Sequence, residues 1–209
     1  MQTFAAPFSP LSALERQRSC EAALAAAPRG LVEFWLFGYG SLMWDANFAY
    51  IAAKPARLMG WQREMSVWTA LARGTPERPG LSLGLMPGGV CDGVAYQIAE
   101  HHREQVLAIV WEREMWTDVY QPTWISVQME GAVRPALTFT VNQASRQFAG
   151  ELSEAQVIDH IAHAVGERGP CRDYLAYTVA SLHSLGIEAA YLQDLNEKVQ
   201  ARAGQPSER

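Results

Sequence analysis

The spacing of apolar and polar positions changes several times along this chain. Residues 11–27 are rich in Ala and Glu without strand-like alternation, which predicts a helix closed by Pro28 and Gly30. From Val32 the texture becomes that of strands, expected over residues 32–37, 57–68, 81–86, 90–98, 123–130 and 133–141. Pro87-Gly88-Gly89 is expected to turn the third of these into the fourth, and Gly131 the fifth into the sixth. Between these hairpins, residues 103–116 carry a helical period. Past Val141 the period is helical again, over 153–165, 172–185 and 190–203, with Ser153 as an N-cap and Gly166 and Gly186 as stops. Antiparallel strands followed by helices predict an α+β fold, a small mixed or antiparallel β-barrel flanked by helices. The expected division is an N-terminal helical appendage, residues 1–31, and a barrel domain, residues 32–209.

The apolar run Phe34-Trp35-Leu36-Phe37 passes directly into Gly38-Tyr39-Gly40-Ser41, the pattern of a strand entering a glycine loop. A dinucleotide fingerprint fails because the third glycine slot holds Met43, and no Gly-Lys-Ser/Thr follows for a phosphate loop. Two readings remain: a tight turn that needs glycine, or a cradle of backbone N–H groups for a small anion or carboxylate.

The helical segment 103–116 offers the sharpest chemical signal. Val106, Leu107, Ile109, Val110 and Trp111 form its apolar face, and Glu112 points to the polar side. Glu114 lies seven residues after Leu107 and four after Val110, near the middle of the apolar stripe, with Arg113 at the stripe's edge. A carboxylate on a buried face has its pKa raised by desolvation, which suits a general base or acid. The competing reading is a buried structural ion pair with Arg113 or another arginine.

Other candidates carry less. His160 and His163 are expected on the solvated side of a helix whose apolar face is Val157, Ile158, Ile161, Ala162 and Val165. His101 and His102 precede a helix as an exposed turn. No metal-binding motif is present, so no metal is expected. Cys20, Cys91 and Cys171 are too far apart for a disulfide framework or a zinc knuckle, which fits a reducing cytoplasm. The stretch 72–80, Ala-Arg-Gly-Thr-Pro-Glu-Arg-Pro-Gly, is expected as a stiff exposed loop whose arginines could rim a pocket for an acidic ligand. With 209 residues, a net charge of −5 and no basic block, the chain is not expected to bind nucleic acid, and no apolar run is long enough to span a membrane.

Taken in order, FGYGSLMW, RGTPERPG, GVAYQI, WEREMWTDVYQPTW and GPCRDYL resemble the ChaC-type γ-glutamylcyclotransferases, most closely the bacterial branch, over roughly residues 34–200. The resemblance implies the γ-glutamylcyclotransferase-like fold, here with an extra N-terminal helix. It implies that the segment Leu36, Phe37, Gly38, Tyr39, Gly40, Ser41 and Leu42 binds the γ-glutamyl group and that Glu114, in the Arg-Glu-Met segment, is catalytic. It also implies that Tyr174 lines the pocket, and Arg73, from the 72–80 loop, is a further candidate for substrate binding. The sequence departs from relatives at Cys171, where an Asn is usual.

The activity so implied is that of a lyase cleaving glutathione to 5-oxoproline and Cys-Gly without cofactor or metal. Glutathione would be its small-molecule partner and the cytoplasm its location. The alternatives are a cyclotransferase for other γ-glutamyl amino acids or amines, and a non-catalytic relative that binds a γ-glutamyl ligand.

Overall fold

The computed structural model describes residues 8–204, which fall into two compact units. The first comprises Ser9–Arg63 and Leu85–Asn142. Its N-terminal helix α1, Ala13–Ala25, is started by a capping box in which Ser12 and Glu15 satisfy each other's backbone N–H groups. Helix α1 and the segment leading into it are joined to the rest of this unit by hydrogen bonds. Leu11 N–H donates to the Trp116 carbonyl at 2.8 Å, Trp124 Nε1 to the Ala23 carbonyl at 2.8 Å, and Trp111 Nε1 to Ser19 Oγ at 3.3 Å.

Strand β1, Phe34–Gly38, is buried along its whole length. Such a continuous apolar strand needs cover on both faces. It runs antiparallel to β3, Gly80–Ile98, with Leu36 opposite Tyr96 and Phe37 opposite Ala95. The long strand β2, Ala52–Thr69, follows β3 in the sheet, and β4 (Tyr120–Met129) and β5 (Ala132–Val141) complete it. A parallel bridge between Leu36 of β1 and Leu137 of β5 closes the barrel, in the order β1-β3-β2-β4-β5. Glu130 (φ 50°) and Gly131 (φ 77°) form the two-residue turn between β4 and β5, both left-handed as a type I′ turn requires. Helix α2, Arg103–Glu114, supplies Val106, Leu107, Val110 and Trp111 to the core, and Trp111 meets Phe139 of β5 edge-on, ring centroids 5.2 Å apart.

One expected hairpin is absent. Pro87, Gly88 and Gly89 lie inside β3, which does not reverse there. Gly88 (φ 122°) and Gly89 (φ 59°) instead bend one continuous strand against Gln62 of β2, with Gly60 (φ 78°) a corresponding bend in β2. Glycine within a strand marks a bulge as readily as a turn.

The second unit comprises Glu64–Gly84 and the chain from Gln143 onward. It holds α3 (Glu154–His163), the short strands β6 (Val165–Gly166) and β7 (Gly169–Pro170), α4 (Cys171–Ser184) and α5 (Ala190–Ala203). Ser153 caps α3 as expected, and Gly186 (φ 67°) follows the end of α4. Helix α3 stops at His163, before Val165, which is exposed in β6 rather than part of an apolar face.

His160 also departs from expectation. It is buried, its Nδ1 is 2.9 Å from the Pro79 carbonyl, and its ring meets Trp68 edge-on at 4.7 Å. Val157, His160, Ile161 and Ala164 share the i, i+3, i+4, i+7 stripe. Burial lowers the His160 pKa, so the ring sits neutral and donates to that carbonyl.

Candidate active site

Strand β1 delivers the chain to the loop by packing. The side chains of Leu36 and Phe37 lie in the barrel core, about 1% exposed each. The Phe37 carbonyl accepts from Thr138 Oγ1 at 2.9 Å. At Gly38 the chain turns so tightly that an added Cβ would stand 2.8 Å from the Leu42 Cβ. Glycine here lets the loop fold back on itself. A single 3-10 turn, Ser41–Met43, follows, and its first bond is Met43 N–H to the Gly40 carbonyl at 2.9 Å. The N–H groups that open such a turn have no carbonyl within it to bond, so those of Ser41 and Leu42 are not consumed by the turn itself.

Tyr39, Tyr96 and Arg63 are among the side chains that hold this loop. Tyr39 is buried and its hydroxyl donates to the Phe139 carbonyl at 2.8 Å, which fixes the ring against the barrel. Tyr96, from β3, donates to the Leu42 carbonyl at 2.9 Å. Burial pushes the Tyr96 phenol up to about 12, so it remains a donor across the physiological range. Arg63, on β2, donates from Nε to the Tyr39 carbonyl at 3.0 Å and from a terminal nitrogen to the Asp92 carbonyl. In a trans peptide the carbonyl and the following N–H point opposite ways. Arg63 therefore fixes the direction of the Gly40 N–H.

Glu114 ends α2. Its side chain is 15% exposed and its Oε1 lies 3.2 Å from Arg113 Nε. Burial raises the Glu114 pKa above the ordinary carboxylate value, and the Arg113 charge opposes that rise. Arg113 also reaches the loop, donating to Ser41 Oγ at 2.8 Å and pairing with Asp45 Oδ2 at 3.3 Å. The buried carboxyl and the glycine loop, 72 residues apart between Ser41 and Arg113, thus meet through one guanidinium. Glu112 is exposed, as the helical period requires.

Arg73 and Tyr174 belong to the second unit and have partners there. Arg73 donates to the Pro170 carbonyl at 3.3 Å, and the Tyr174 hydroxyl accepts from Leu83 N–H at 3.2 Å. The 72–80 segment is less exposed than expected: Gly74, Pro79 and Gly80 are buried, and an added Cβ at Gly74 would sit 2.3 Å from Gly80 N. At Cys171 the thiol fills a polar role, donating to the Leu81 carbonyl at 3.1 Å and accepting from Leu81 N–H at 3.3 Å. Burial pushes the Cys171 thiol up to about 12 and that of Cys91 up to about 11, so neither is an activated nucleophile. No cluster of three or more His, Cys, Asp or Glu side chains among the described residues could hold a metal ion.

Sequence reasoning singled out Glu114 and the loop, which the structure links through Arg113, but it did not single out Arg63 or Tyr96, and it took Arg113 only as a partner for Glu114. Arg63 and Tyr96 act on backbone carbonyls remote in sequence, so no local spacing announces them.

This arrangement has a close architectural counterpart. The chain superposes on a crystal structure of a yeast γ-glutamylcyclotransferase specific to glutathione with a TM-score of 0.75 at 22% identity, over 81% of this chain and 96% of that one. The fold is therefore that of the γ-glutamylcyclotransferases. The family model for ChaC-like proteins matches residues 34–202, and the chain belongs to that family. It is 35% identical over 186 residues to the glutathione-specific γ-glutamylcyclotransferase of Escherichia coli strain K12, spanning 88% of this chain and 80% of that protein. It is 28% identical over 174 residues to γ-glutamylcyclotransferase 2-3 of Arabidopsis thaliana, covering 79% of this chain and 87% of the relative.

Proposed function

We propose that this protein is a glutathione-specific γ-glutamylcyclotransferase in which Glu114 moves the proton. The observation that carries the reading is a desolvated carboxyl tied through Arg113 to the glycine loop. The likeness to the Escherichia coli enzyme supports glutathione as the substrate.

The reaction needs no water. The α-amine of the γ-glutamyl group attacks its own γ-carbonyl carbon, a five-membered lactam closes, and the bond to the cysteine nitrogen breaks. An ammonium has no lone pair, so the amine must first lose a proton, which Glu114 takes. Glu114 returns that proton to the departing cysteine nitrogen, and the second proton, shed by the ring nitrogen as the lactam closes, follows the same route, so that Cys-Gly leaves as its ammonium and the carboxylate is regenerated. The N–H groups of Gly40, Ser41 and Leu42 hold the substrate's α-carboxylate, which fixes the amine in attacking position. Three unpaired cysteines, Cys20, Cys91 and Cys171, suit a reducing cytoplasm, and no helix among the described residues is long and apolar enough to cross a membrane.

Incubation of the purified protein with glutathione, followed by chromatography, should yield equimolar 5-oxoproline and Cys-Gly. The α-linked isomer Glu-Cys-Gly, whose α-carboxylate is consumed in the peptide bond, should survive. Comparable cleavage of both isomers would identify a peptidase instead.

Arg63→Gln should raise KM about tenfold, the size expected when a hydrogen bond from a charged group is lost, with kcat less affected. Steady-state kinetics on glutathione separates the two. A fall confined to kcat would remove Arg63 from the substrate cradle.

A further inference from the structure

We propose that Arg113 is a positioning residue that holds the Glu114 carboxylate and the Ser41 hydroxyl in one register, so that a single guanidinium places both the proton carrier and the substrate loop. The inference rests on the reading of Glu114 as that carrier. Each of the three Arg113 nitrogens has a protein partner: Nε faces Glu114 at 3.2 Å, one terminal nitrogen lies 3.3 Å from Asp45 Oδ2, and the other donates to Ser41 Oγ at 2.8 Å. Through these contacts Arg113 acts on its neighbours. Ser41 accepts in this bond and keeps its own hydroxyl proton to give. A planar fork makes divergent contacts of this kind, whereas an ammonium is a single point of charge.

The same contact governs when Glu114 is ionised. Burial favours the neutral acid and the adjacent guanidinium favours the carboxylate. The other ionisable groups around the guanidinium are Asp45 at the end of the loop, which pairs with Arg113, and Tyr96 from β3, whose phenol Arg113 influences and which Tyr50 flanks. Glu112, on the same helix, is exposed. Without Arg113, Glu114 ionises at higher pH. A base must be unprotonated to act, so the acid limb of kcat/KM moves to higher pH.

The test is the pH dependence of 5-oxoproline release from glutathione by Arg113→Met and Arg113→Lys, with thermal melts alongside. In the Met variant the acid limb should rise by about one pH unit or more, and KM should increase as Ser41 loses its register. The Lys variant keeps the charge without the fork, so its limb should return toward that of the unaltered protein while KM stays raised. Lowered thermal stability with limb and KM both unchanged would make Arg113 structural and overturn the proposal. If the Met variant does not fold, the Lys variant decides: raised KM supports the proposal, and unchanged KM overturns it. Failure here is separable from failure of the Glu114 reading, which would appear as normal turnover in Glu114→Gln.

Discussion

Glu114→Gln should lower kcat on glutathione by about 10²- to 10⁴-fold, the usual contribution of general acid–base catalysis, while KM stays near its original value. Gln keeps the size and shape of the side chain but takes no proton. The α-carboxylate of the substrate is held by the loop and not by residue 114, which is why KM should be spared. The effect on stability has a definite sign. Burial raises the Glu114 pKa and Arg113 only opposes that rise. A carboxyl raised in this way stabilises the fold below its unfolded pKa and loses that contribution as pH climbs through the folded value. Above that folded value the ionised side chain therefore carries a desolvation penalty that neutral Gln lacks, and Arg113 keeps Asp45 and Ser41 as partners. The melting temperature should be unchanged or slightly higher. A purely structural ion pair predicts the reverse, a loss of about 3–5 kcal/mol with activity preserved in the folded fraction. Exposed Glu112 is the control, and Glu112→Gln should alter neither quantity.

Gly38→Ala should reduce kcat/KM by about 10²-fold, the scale at which a displacement near 1 Å misplaces reacting groups. The new Cβ would lie 2.8 Å from the Leu42 Cβ and 3.6 Å from the Tyr96 ring. Neither neighbour retreats easily. Leu42 and Tyr96 are both buried, and the Tyr96 hydroxyl grips the Leu42 carbonyl at 2.9 Å. The loop must shift, and its N–H groups shift with it. Gly131→Ala is a useful comparison, because Gly131 has φ 77° but nothing within 4 Å of its missing Cβ. That change should lower the melting temperature through backbone strain and leave the kinetics of the folded enzyme alone. Near-normal kcat/KM in Gly38→Ala would mean that the loop geometry does not control substrate placement.

How far the sequence could be read depended on whether a signal was local. Glu114 was legible because α2 keeps a single helical period from Val106 to Glu114, so its face follows from counting. Strand β1 and its loop were legible because four large apolar residues end abruptly in Gly-Tyr-Gly. The continuity of β3 was not, since Pro-Gly-Gly serves a hairpin and a bulge equally well. Arg63 was hidden by a related cause. Inward and outward positions alternate in β2 from Ala56 to Met59, but Gly60, at φ 78°, breaks the phase, and the face taken by Arg63 no longer follows from its number. His160 was assigned to solvent because Ile158 and Val165 were counted into the apolar stripe of α3. Val165 lies beyond the helix and Ile158 is only half-buried, whereas Ala164 is buried, so the buried face turns toward Val157, His160 and Ile161. The bridge from Arg113 to Ser41 depends on tertiary closure, which no spacing encodes.

Glu114 can be watched directly as it gains its proton. With glutamate labelled at the side-chain carboxyl carbon, the NMR signal of Glu114, assigned by its loss in Glu114→Gln, can be followed against pH. It can then be compared with the pH profile of kcat/KM for 5-oxoproline release. The account predicts a midpoint above the ordinary glutamate value, coinciding with the acid limb of the rate profile and rising with it in Arg113→Met. A Glu114 midpoint in the ordinary carboxylate range, with the acid limb elsewhere, would contradict it.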